Sequence, residues 1–269
     1  MLSSLPPVRR RLVVGVVALA LVATLVAVVL VLVGRDRPGL GSGAGVAQDR
    51  PGPVLLVPGY GGSTSALEVL ARRLRAAGRD AEVVALPGGG TGDLRAQADV
   101  LDRAARAQID AGAPSVDVVG YSAGGVVARI WAADEGGRAV ARRMVTLGSP
   151  HHGSEVAALA GSLLPGQCPA ACRQLVPSSD LLARLNIDET PDGPAWVSVW
   201  TTRDQIVTPA DSARLAGALN IPVQEICADS LVGHGELPTD RLVQGLVLAA
   251  LAPTPPSPPT PADCPRLRA

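Results

Sequence analysis

Short apolar runs alternate with longer amphipathic runs along most of the chain. The short runs are bounded by Pro, Gly or charged residues, which is typical of buried parallel strands. We predict six such strands, at residues 54–57, 81–86, 116–119, 142–147, 196–201 and 223–227. The alternation of strands with helical runs predicts an α/β fold with a mainly parallel sheet and helices on both faces.

The longer runs place their apolar residues at helical spacing. In residues 65–77, Leu67, Leu70 and Leu74 fall on one face and arginines fall on the other. Further helices are predicted at residues 93–111, 123–133, 211–219 and 237–251. Together these elements form one domain over residues 54–252, interrupted by an irregular segment at 154–194 with short helical pieces.

The N-terminal segment has a different pattern. Residues 12–33 form an apolar run without a charged side chain, long enough to span a bilayer. Arginines before it favour a cytoplasmic N-terminus at residues 1–11. We predict a single-pass signal-anchor helix in the cell membrane, a flexible linker at 34–53, and a catalytic domain outside the cytoplasm. Cleavage of a signal peptide near residues 45–47 is the alternative, and would give a secreted protein. A buried soluble helix is disfavoured because the run has no polar face.

The C-terminal residues 253–269 form a Pro-rich tail. The four Cys are an even number, which fits an oxidising compartment. Three pairings are possible, and the one that we favour joins Cys168 to Cys172 and Cys227 to Cys264. The second bridge would attach the tail to the domain. A metal site is the alternative, but the C-x-x-x-C pair lacks a second His/Cys cluster at suitable spacing.

The third predicted strand runs into Gly120-Tyr121-Ser122-Ala123-Gly124, a G-x-S-x-G pattern between a strand and a helix. In that context the pattern is typical of a nucleophile elbow, a sharp turn that exposes the Ser hydroxyl above the sheet. The flanking glycines remove Cβ atoms that would collide in the turn. Ser122 is therefore the candidate nucleophile. The alternative interpretation is a Gly-rich turn with an incidental Ser.

A Ser nucleophile needs a base, and the base needs an acid that orients it. The chain has three His. Elbow folds use the chain order Ser, acid, His, and only His234 leaves room for an acid. Asp204 directly follows the fifth predicted strand, so we predict it as the acid, with a turn or cap residue as the alternative. The other candidates lie in the irregular segment or at a helix start, and they are Asp180, Asp188, Asp192 and Asp211.

Two backbone N–H groups are expected to face the developing oxyanion. One is that of Ala123, directly after the nucleophile, and the other is that of Tyr60, in the loop after the first strand. His151 and His152 follow the fourth strand, where they would line the cleft or hydrogen-bond neighbouring loops. The substrate cleft is expected to include Gly59, Gly61, Tyr121, His151 and His152.

These stretches together resemble the α/β-hydrolase fold, and more closely the small bacterial lipases and esterases that include the class 2 lipases. The segment LGSPHHGS is similar to the L-G-[ST]-P-x-x-G loop that is common in these lipases. The other matching stretches are VLLVPGYGGS, VDVVGYSAGG, WVSVWTTRDQIVTP and GHGELP. The chain departs from the family in two places. Its first loop begins Pro58-Gly59 rather than His-Gly, and Tyr121 replaces the His of G-H-S-x-G.

The resemblance implies the same site residues: Ser122, Asp204, His234, and the N–H groups of Tyr60 and Ala123. It implies a serine hydrolase that cleaves carboxylic (acyl) esters or lipids through an acyl-enzyme intermediate, without a metal or cofactor. We further expect a small or absent lid, a monomer, and no nucleic-acid partner since the net charge is zero. A cell-envelope acyltransferase with the same triad and a catalytically inactive binding module are the alternatives.

Overall fold

The computed structural model describes residues 46–269, which are built around a sheet of six parallel strands. The strands are β1 Val54–Val57, β2 Ala81–Val83, β3 Val116–Tyr121, β4 Ala141–Leu147, β5 Ala195–Trp200 and β6 Leu219–Pro222. Their order across the sheet is β2-β1-β3-β4-β5-β6. From β1 the chain adds β2 on one side of the sheet, and it then adds β3 to β6 on the other side. The direction therefore changes between β1 and β3, and loops that follow two such neighbouring strands frame a crevice at their carboxyl ends.

Helices cover both faces of this sheet, so the predicted α/β architecture is confirmed. The helices are α1 Ser65–Ala76, α2 Leu94–Asp110, α3 Ala123–Asp134, α4 Glu155–Leu163, α5 Ala170–Gln174, α6 Asp180–Leu185, α7 Val223–Ile226, α8 Arg241–Ala250 and α9 Cys264–Arg268. Helices α1 and α8 pack on one face of the sheet, and α2 and α3 pack on the other.

Strand β1 illustrates why the short runs are apolar throughout. Leu56 packs into the core beneath α1 and α8, whereas Leu55 packs into the core beneath α2 and α3. All four residues of β1 are fully buried. A strand with helices on both faces has no solvent-facing positions, so its sequence does not alternate between apolar and polar residues.

The position predicted for the sixth strand is wrong. Residues 223–227 were expected to be a strand, but β6 is Leu219–Pro222 and pairs with β5, and the helix α7 follows it. Val223, Ile226 and Cys227 are buried together. Their i, i+3, i+4 spacing is that of a helix. Pro222 closes the strand at the edge of the sheet, where its missing N–H costs no ladder bond.

The prediction of a helix at residues 211–219 is also wrong. A short 3-10 turn occupies Ala210–Ala213, and the chain then becomes extended at Arg214. The Asn220 side chain accepts a hydrogen bond from Leu215 N (2.9 Å) and donates to Leu215 O (2.8 Å). These bonds satisfy both main-chain groups of Leu215 outside a helix. Gly217 completes the loop with φ +82°, a left-handed conformation that glycine adopts readily.

The predicted N-terminus (1–11), the predicted membrane segment (12–33) and most of the predicted linker (34–53) lie outside the described residues. Within 46–269, no helix combines the length and the apolar character that crossing a membrane requires. The linker and tail boundaries stay predictions, but residues 46–53 lie against the domain.

A buried carboxylate at the amino edge of the sheet holds these residues. Asp117 Oδ2 accepts hydrogen bonds from Arg79 and Arg142, each at 2.6 Å, and Asp117 Oδ1 accepts a third from Arg142 Nε at 3.0 Å. The side chains of Asp117 and Arg142 are fully buried. The remaining guanidinium donors bind the main-chain carbonyls of Gln48, Gly52, Leu251 and Ala252.

The two disulfides have the pairing that the sequence favours. Cys168 is bonded to Cys172, and Cys227 is bonded to Cys264. The second bridge attaches α9 to the end of α7. Leu267 of α9 is buried in the core beneath α8. The end of the predicted tail is thus part of the folded domain.

Candidate active site

Ser122 lies at a sharp turn between β3 and α3. Its backbone has φ 53° and ψ −127°, and within residues 46–269 it is the one non-glycine residue with positive φ. The turn closes tightly: a Cβ on Gly120 would lie 2.5 Å from Gly125 Cα, and a Cβ on Gly124 would lie 2.2 Å from Val57 O. The strain at Ser122 is the local signature of a nucleophile elbow.

The structure brings Ser122, His234 and Asp204 together from three separate loops. His234 Nε2 lies 3.0 Å from Ser122 Oγ, and His234 Nδ1 lies 2.7 Å from Asp204 Oδ2. His234 follows α7, and Asp204 follows β5. Both side chains are almost entirely buried. A Ser hydroxyl in this arrangement can pass its proton to an imidazole whose second nitrogen is held by a carboxylate.

Asp204 is itself fixed by the main chain. Its Oδ1 accepts hydrogen bonds from Ile206 N (2.9 Å) and Val207 N (2.8 Å). The other oxygen is therefore left to face His234. Sequence reasoning placed Asp204 at the sheet edge but gave no indication of these two donors, because an Asx-type turn in T-R-D-Q-I-V is only one of several conformations that Asp favours.

The predicted oxyanion donors belong to two segments next to Ser122, the start of α3 and the loop after β1. Ala123 opens α3, so its N–H has no acceptor within the helix and lies at the positive end of the helix dipole. Tyr60 lies in a tight turn that Gly62 N closes onto Gly59 O at 3.0 Å. Gly61 takes φ +89° in that turn, as a type II turn requires at this position. Gly59 borders the nucleophile, since a Cβ there would lie 2.8 Å from Ser122 Cβ.

An apolar cavity of about 200 Å³ opens beside Ser122. Its wall comprises the inner face of α4, the loop after β5, and residues of the disulfide-bonded segment. The main lining residues are Tyr60, Pro150, Val156, Ala157, Ala160, Cys172, Leu175, Ile206 and Val207. Helix α4 contributes three of these residues and has nine residues, none of which is buried. A separate cavity of about 730 Å³ includes His152 but does not reach Ser122.

His151 and His152 do not line the cavity at Ser122, so their expected place in the cleft is corrected. His151 is fully buried, and its Nε2 lies 3.1 Å from Thr146 Oγ1. Burial, and after it the charge of Arg129, holds the pKa of His151 well below its usual value. His152 bridges Ser212 O and Glu189 Oε1. His152 therefore ties neighbouring loops together, which is the other role that the sequence left open, whereas the His151 side chain bonds back to strand β4.

Tyr121 is a further residue whose predicted position in the cleft is corrected. It was expected in the substrate cleft, but its ring lies behind the imidazole of His234, with the ring centroids 5.3 Å apart. Its hydroxyl donates to His234 O at 3.1 Å. The only signal in the sequence was the replacement of a family His by Tyr. As for metals, residues 46–269 contain no cluster of His, Cys, Asp and Glu that could hold an ion.

Comparison with known proteins finds a family model and solved structures that this chain resembles. The family model for lipase (class 2) matches residues 109–237, which include Ser122, Asp204 and His234. The chain has the α/β-hydrolase fold. Over the matched residues it resembles lipases, which supports a lipase- or esterase-like hydrolase. No curated protein matches its sequence significantly.

Two solved lipases have the same fold. The mature lipase BlEst2 of Bacillus licheniformis is 22% identical with a TM-score of 0.54, and the match covers 63% of this chain and 82% of that lipase. Lipase B of Aspergillus fumigatus is 18% identical with a TM-score of 0.66, and the match covers 84% of this chain but 58% of that lipase. At these identities the likeness extends to the fold alone.

Proposed function

We propose that the chain is a serine hydrolase that cleaves carboxylic (acyl) esters through an acyl-enzyme intermediate. The observation that carries the proposal is the continuous path of hydrogen bonds from Ser122 Oγ through His234 to Asp204, beside an apolar cavity. A path of this kind activates a hydroxyl that is otherwise a poor nucleophile. The three side chains come from the ends of β3 and β5 and from the loop after α7, so an accidental cluster is a poor explanation.

In the first half-reaction Ser122 Oγ attacks the ester carbonyl carbon while His234 Nε2 takes the hydroxyl proton. The carbonyl electron pair moves to the oxygen, and the imidazolium that forms is stabilised by Asp204. Collapse of this intermediate breaks the bond to the alkoxy oxygen, which receives the proton from His234 and leaves as the alcohol. In the second half-reaction a water molecule repeats these steps and releases the acid and free Ser122.

The tetrahedral oxygen would be bound by the N–H groups of Tyr60 and Ala123. Two features support this assignment: the free N–H at the start of α3 and the Gly-flanked turn around Tyr60. Fixed donors aimed at a developing charge need no reorganisation during the reaction, and each contributes about 10²–10³ in rate. Because the Tyr60 donor is a main-chain group, its side chain is free to contact the substrate at the cavity rim, where it is 47% exposed.

The cavity wall supports an apolar acyl group as the part of the ester that is bound. Its volume of about 200 Å³ is larger than the cavities of roughly 150 Å³ that accept benzene in other proteins. No charged side chain lines it. We expect esters of short to medium acyl chains to fit with their carbonyl carbon at Ser122.

We also propose that this domain works outside the cytoplasm, attached to the cell membrane through residues 12–33. The supporting observations are the uncharged apolar run in the sequence and the two disulfides of the domain. Disulfides persist in oxidising compartments and are rare in the cytosol. Fractionation of cells that express the full chain, followed by protease treatment of intact cells, tests this location.

The experiment for the activity compares wild type with Ser122→Ala on a series of p-nitrophenyl esters from acetate to longer chains. Wild type should hydrolyse them and should be labelled by a fluorophosphonate probe, and Ser122→Ala should do neither. Ser178→Ala is the matched control, because Ser178 is exposed and lies outside the cavity. Ester hydrolysis by Ser122→Ala at the wild-type rate would overturn the proposal.

A further inference from the structure

Tyr121 connects the nucleophile strand to the loop of the base. It is the last residue of β3, directly before Ser122, yet its hydroxyl donates to the main-chain oxygen of His234 at 3.1 Å. The two aromatic rings lie 5.3 Å apart and are tilted by 34°. One side chain thus contacts the backbone and the ring of His234 from the strand that carries Ser122.

The chemistry of the phenol fits the role of a permanent donor. Burial, and after it the charges of Asp204 and Glu236, raises the pKa of Tyr121 to about 12. The hydroxyl therefore keeps its proton at any pH at which the site works. A main-chain carbonyl can only accept, so the direction of this hydrogen bond is fixed. The same carbonyl also accepts the N–H of Leu237 at 3.3 Å, a longer bond.

The loop needs such a bond because His234 is flanked by Gly233 and Gly235. Glycine leaves a backbone with more accessible conformations than any other residue. Thr201 Oγ1 donates to Val232 O (2.7 Å), and Glu236 Oε2 accepts from Gly233 N (3.0 Å). These bonds hold the residues before His234. The bond from Tyr121 acts on His234 itself and ties it to the nucleophile strand.

A role in substrate binding does not explain this position. Tyr121 is absent from the lining of the cavity beside Ser122, and its ring is half-buried behind the imidazole. We infer that Tyr121 is a positioning residue, whose phenol fixes the His234 backbone so that Nε2 stays within hydrogen-bond reach of Ser122 Oγ. The inference rests on the proposed function, since it assigns a role toward the same base.

The test is Tyr121→Phe, which removes the hydroxyl and keeps the ring. Active sites are titrated with a fluorophosphonate, so that kcat is expressed per reactive Ser122. We expect kcat for p-nitrophenyl butyrate to fall about 3- to 10-fold, the effect of losing one hydrogen bond that holds a catalytic group. KM should stay at the wild-type value because the cavity is unchanged. A purely structural role would lower the titrated fraction but not kcat per site.

Thr239→Val is the matched control. Thr239 also donates a hydroxyl to a carbonyl at the end of this loop, Glu236 O at 3.1 Å, but it is exposed and its bond does not involve His234. It should leave kcat unchanged. An unchanged kcat per site in Tyr121→Phe, a rise in KM instead, or failure of that variant to fold would each overturn the inference. Activity that survives in Ser122→Ala would instead overturn the proposed function, so the two failures are distinguishable.

Discussion

Asp204 and His234 meet through only one of the two carboxylate oxygens. Asp204 Oδ2 lies 2.7 Å from His234 Nδ1, while Oδ1 is occupied by the N–H groups of Ile206 and Val207. Rotation of the carboxylate would break two main-chain hydrogen bonds. The imidazole is thus oriented by an acceptor that is itself held by the backbone. A substitution at Asp204 should therefore disturb the orientation of His234.

Asp204→Asn should lower kcat for ester hydrolysis by about 10⁴, as the equivalent amide does in serine proteases. Both carboxylate oxygens of Asp204 act as acceptors, one toward His234 Nδ1 and one toward two backbone N–H groups, but an amide has only one oxygen. Its NH₂ group therefore faces either His234 Nδ1 or the two backbone donors. Steady-state kinetics on p-nitrophenyl butyrate measures the loss. Asp211→Asn is the control, because Asp211 is exposed and also lies between Ser122 and His234 in the sequence. This variant should retain wild-type kinetics. A loss of less than about tenfold in Asp204→Asn would contradict the assigned role.

Ala157→Leu should shorten the acyl chain that the site accepts. Ala157 lies on the inner face of α4 and lines the cavity, so a larger side chain fills space that the acyl group would occupy. We expect the ratio of kcat/KM for the octanoate and acetate esters to fall about tenfold or more. Ala158→Leu alters the same helix outside the cavity lining, and should leave the ratio unchanged. Equal ratios in both variants would contradict the acyl-binding role of the cavity.

Stability should fall in mild acid because of His151. Its pKa in the folded state is held below the unfolded value of about 6.5. Below pH ~6.5 the unfolded chain therefore binds a proton that the folded chain does not, and the free energy of unfolding decreases as pH falls. The contribution approaches ~1.4 kcal/mol per pH unit. Urea unfolding at several pH values should show a shallower decrease for His151→Gln, and identical slopes would refute the account.

The two disulfides should differ in their contribution to stability. Cys227 and Cys264 are 37 residues apart, whereas Cys168 and Cys172 are 4 apart. In the chain-entropy model the long loop contributes about 4 kcal/mol and the short one about 2 kcal/mol. Guanidinium unfolding of the two double Cys→Ala variants measures both values under identical conditions. A larger loss for the Cys168/Cys172 pair would show that native contacts, rather than loop closure, dominate.

The sequence predicted the elements whose local pattern agrees with their final environment. The strand before Ser122 is apolar, the elbow glycines are required by the turn, and the scarcity of His leaves one base. These features predicted a parallel sheet, the approximate positions of its first five strands along the chain, and three residues at its carboxyl edge. They depend on short stretches of chain, which is why they can be read without the tertiary structure.

The features that were missed depend on specific side-chain hydrogen bonds, some of them local and some between distant parts of the chain. The helix expected at 211–219 is replaced by a loop because Asn220 binds both main-chain groups of Leu215. Tyr121 reaches the loop of His234, 113 positions away in sequence. Asp117 lies in an apolar strand and would have been an unexplained buried charge without Arg79 and Arg142. Hydrogen bonds of this kind leave no periodic pattern in the sequence.

The ion-pair cluster at Asp117 has a mechanical consequence. It lies at the amino edge of the sheet, where Arg142 Nη1 binds both Gln48 O (3.1 Å) and Ala252 O (2.9 Å). Ser122 lies at the opposite, carboxyl edge. A pulling force applied at residue 46 would pass through Gln48 to Arg142 and Arg143. A load at this end of the domain therefore enters at the edge of the sheet opposite Ser122.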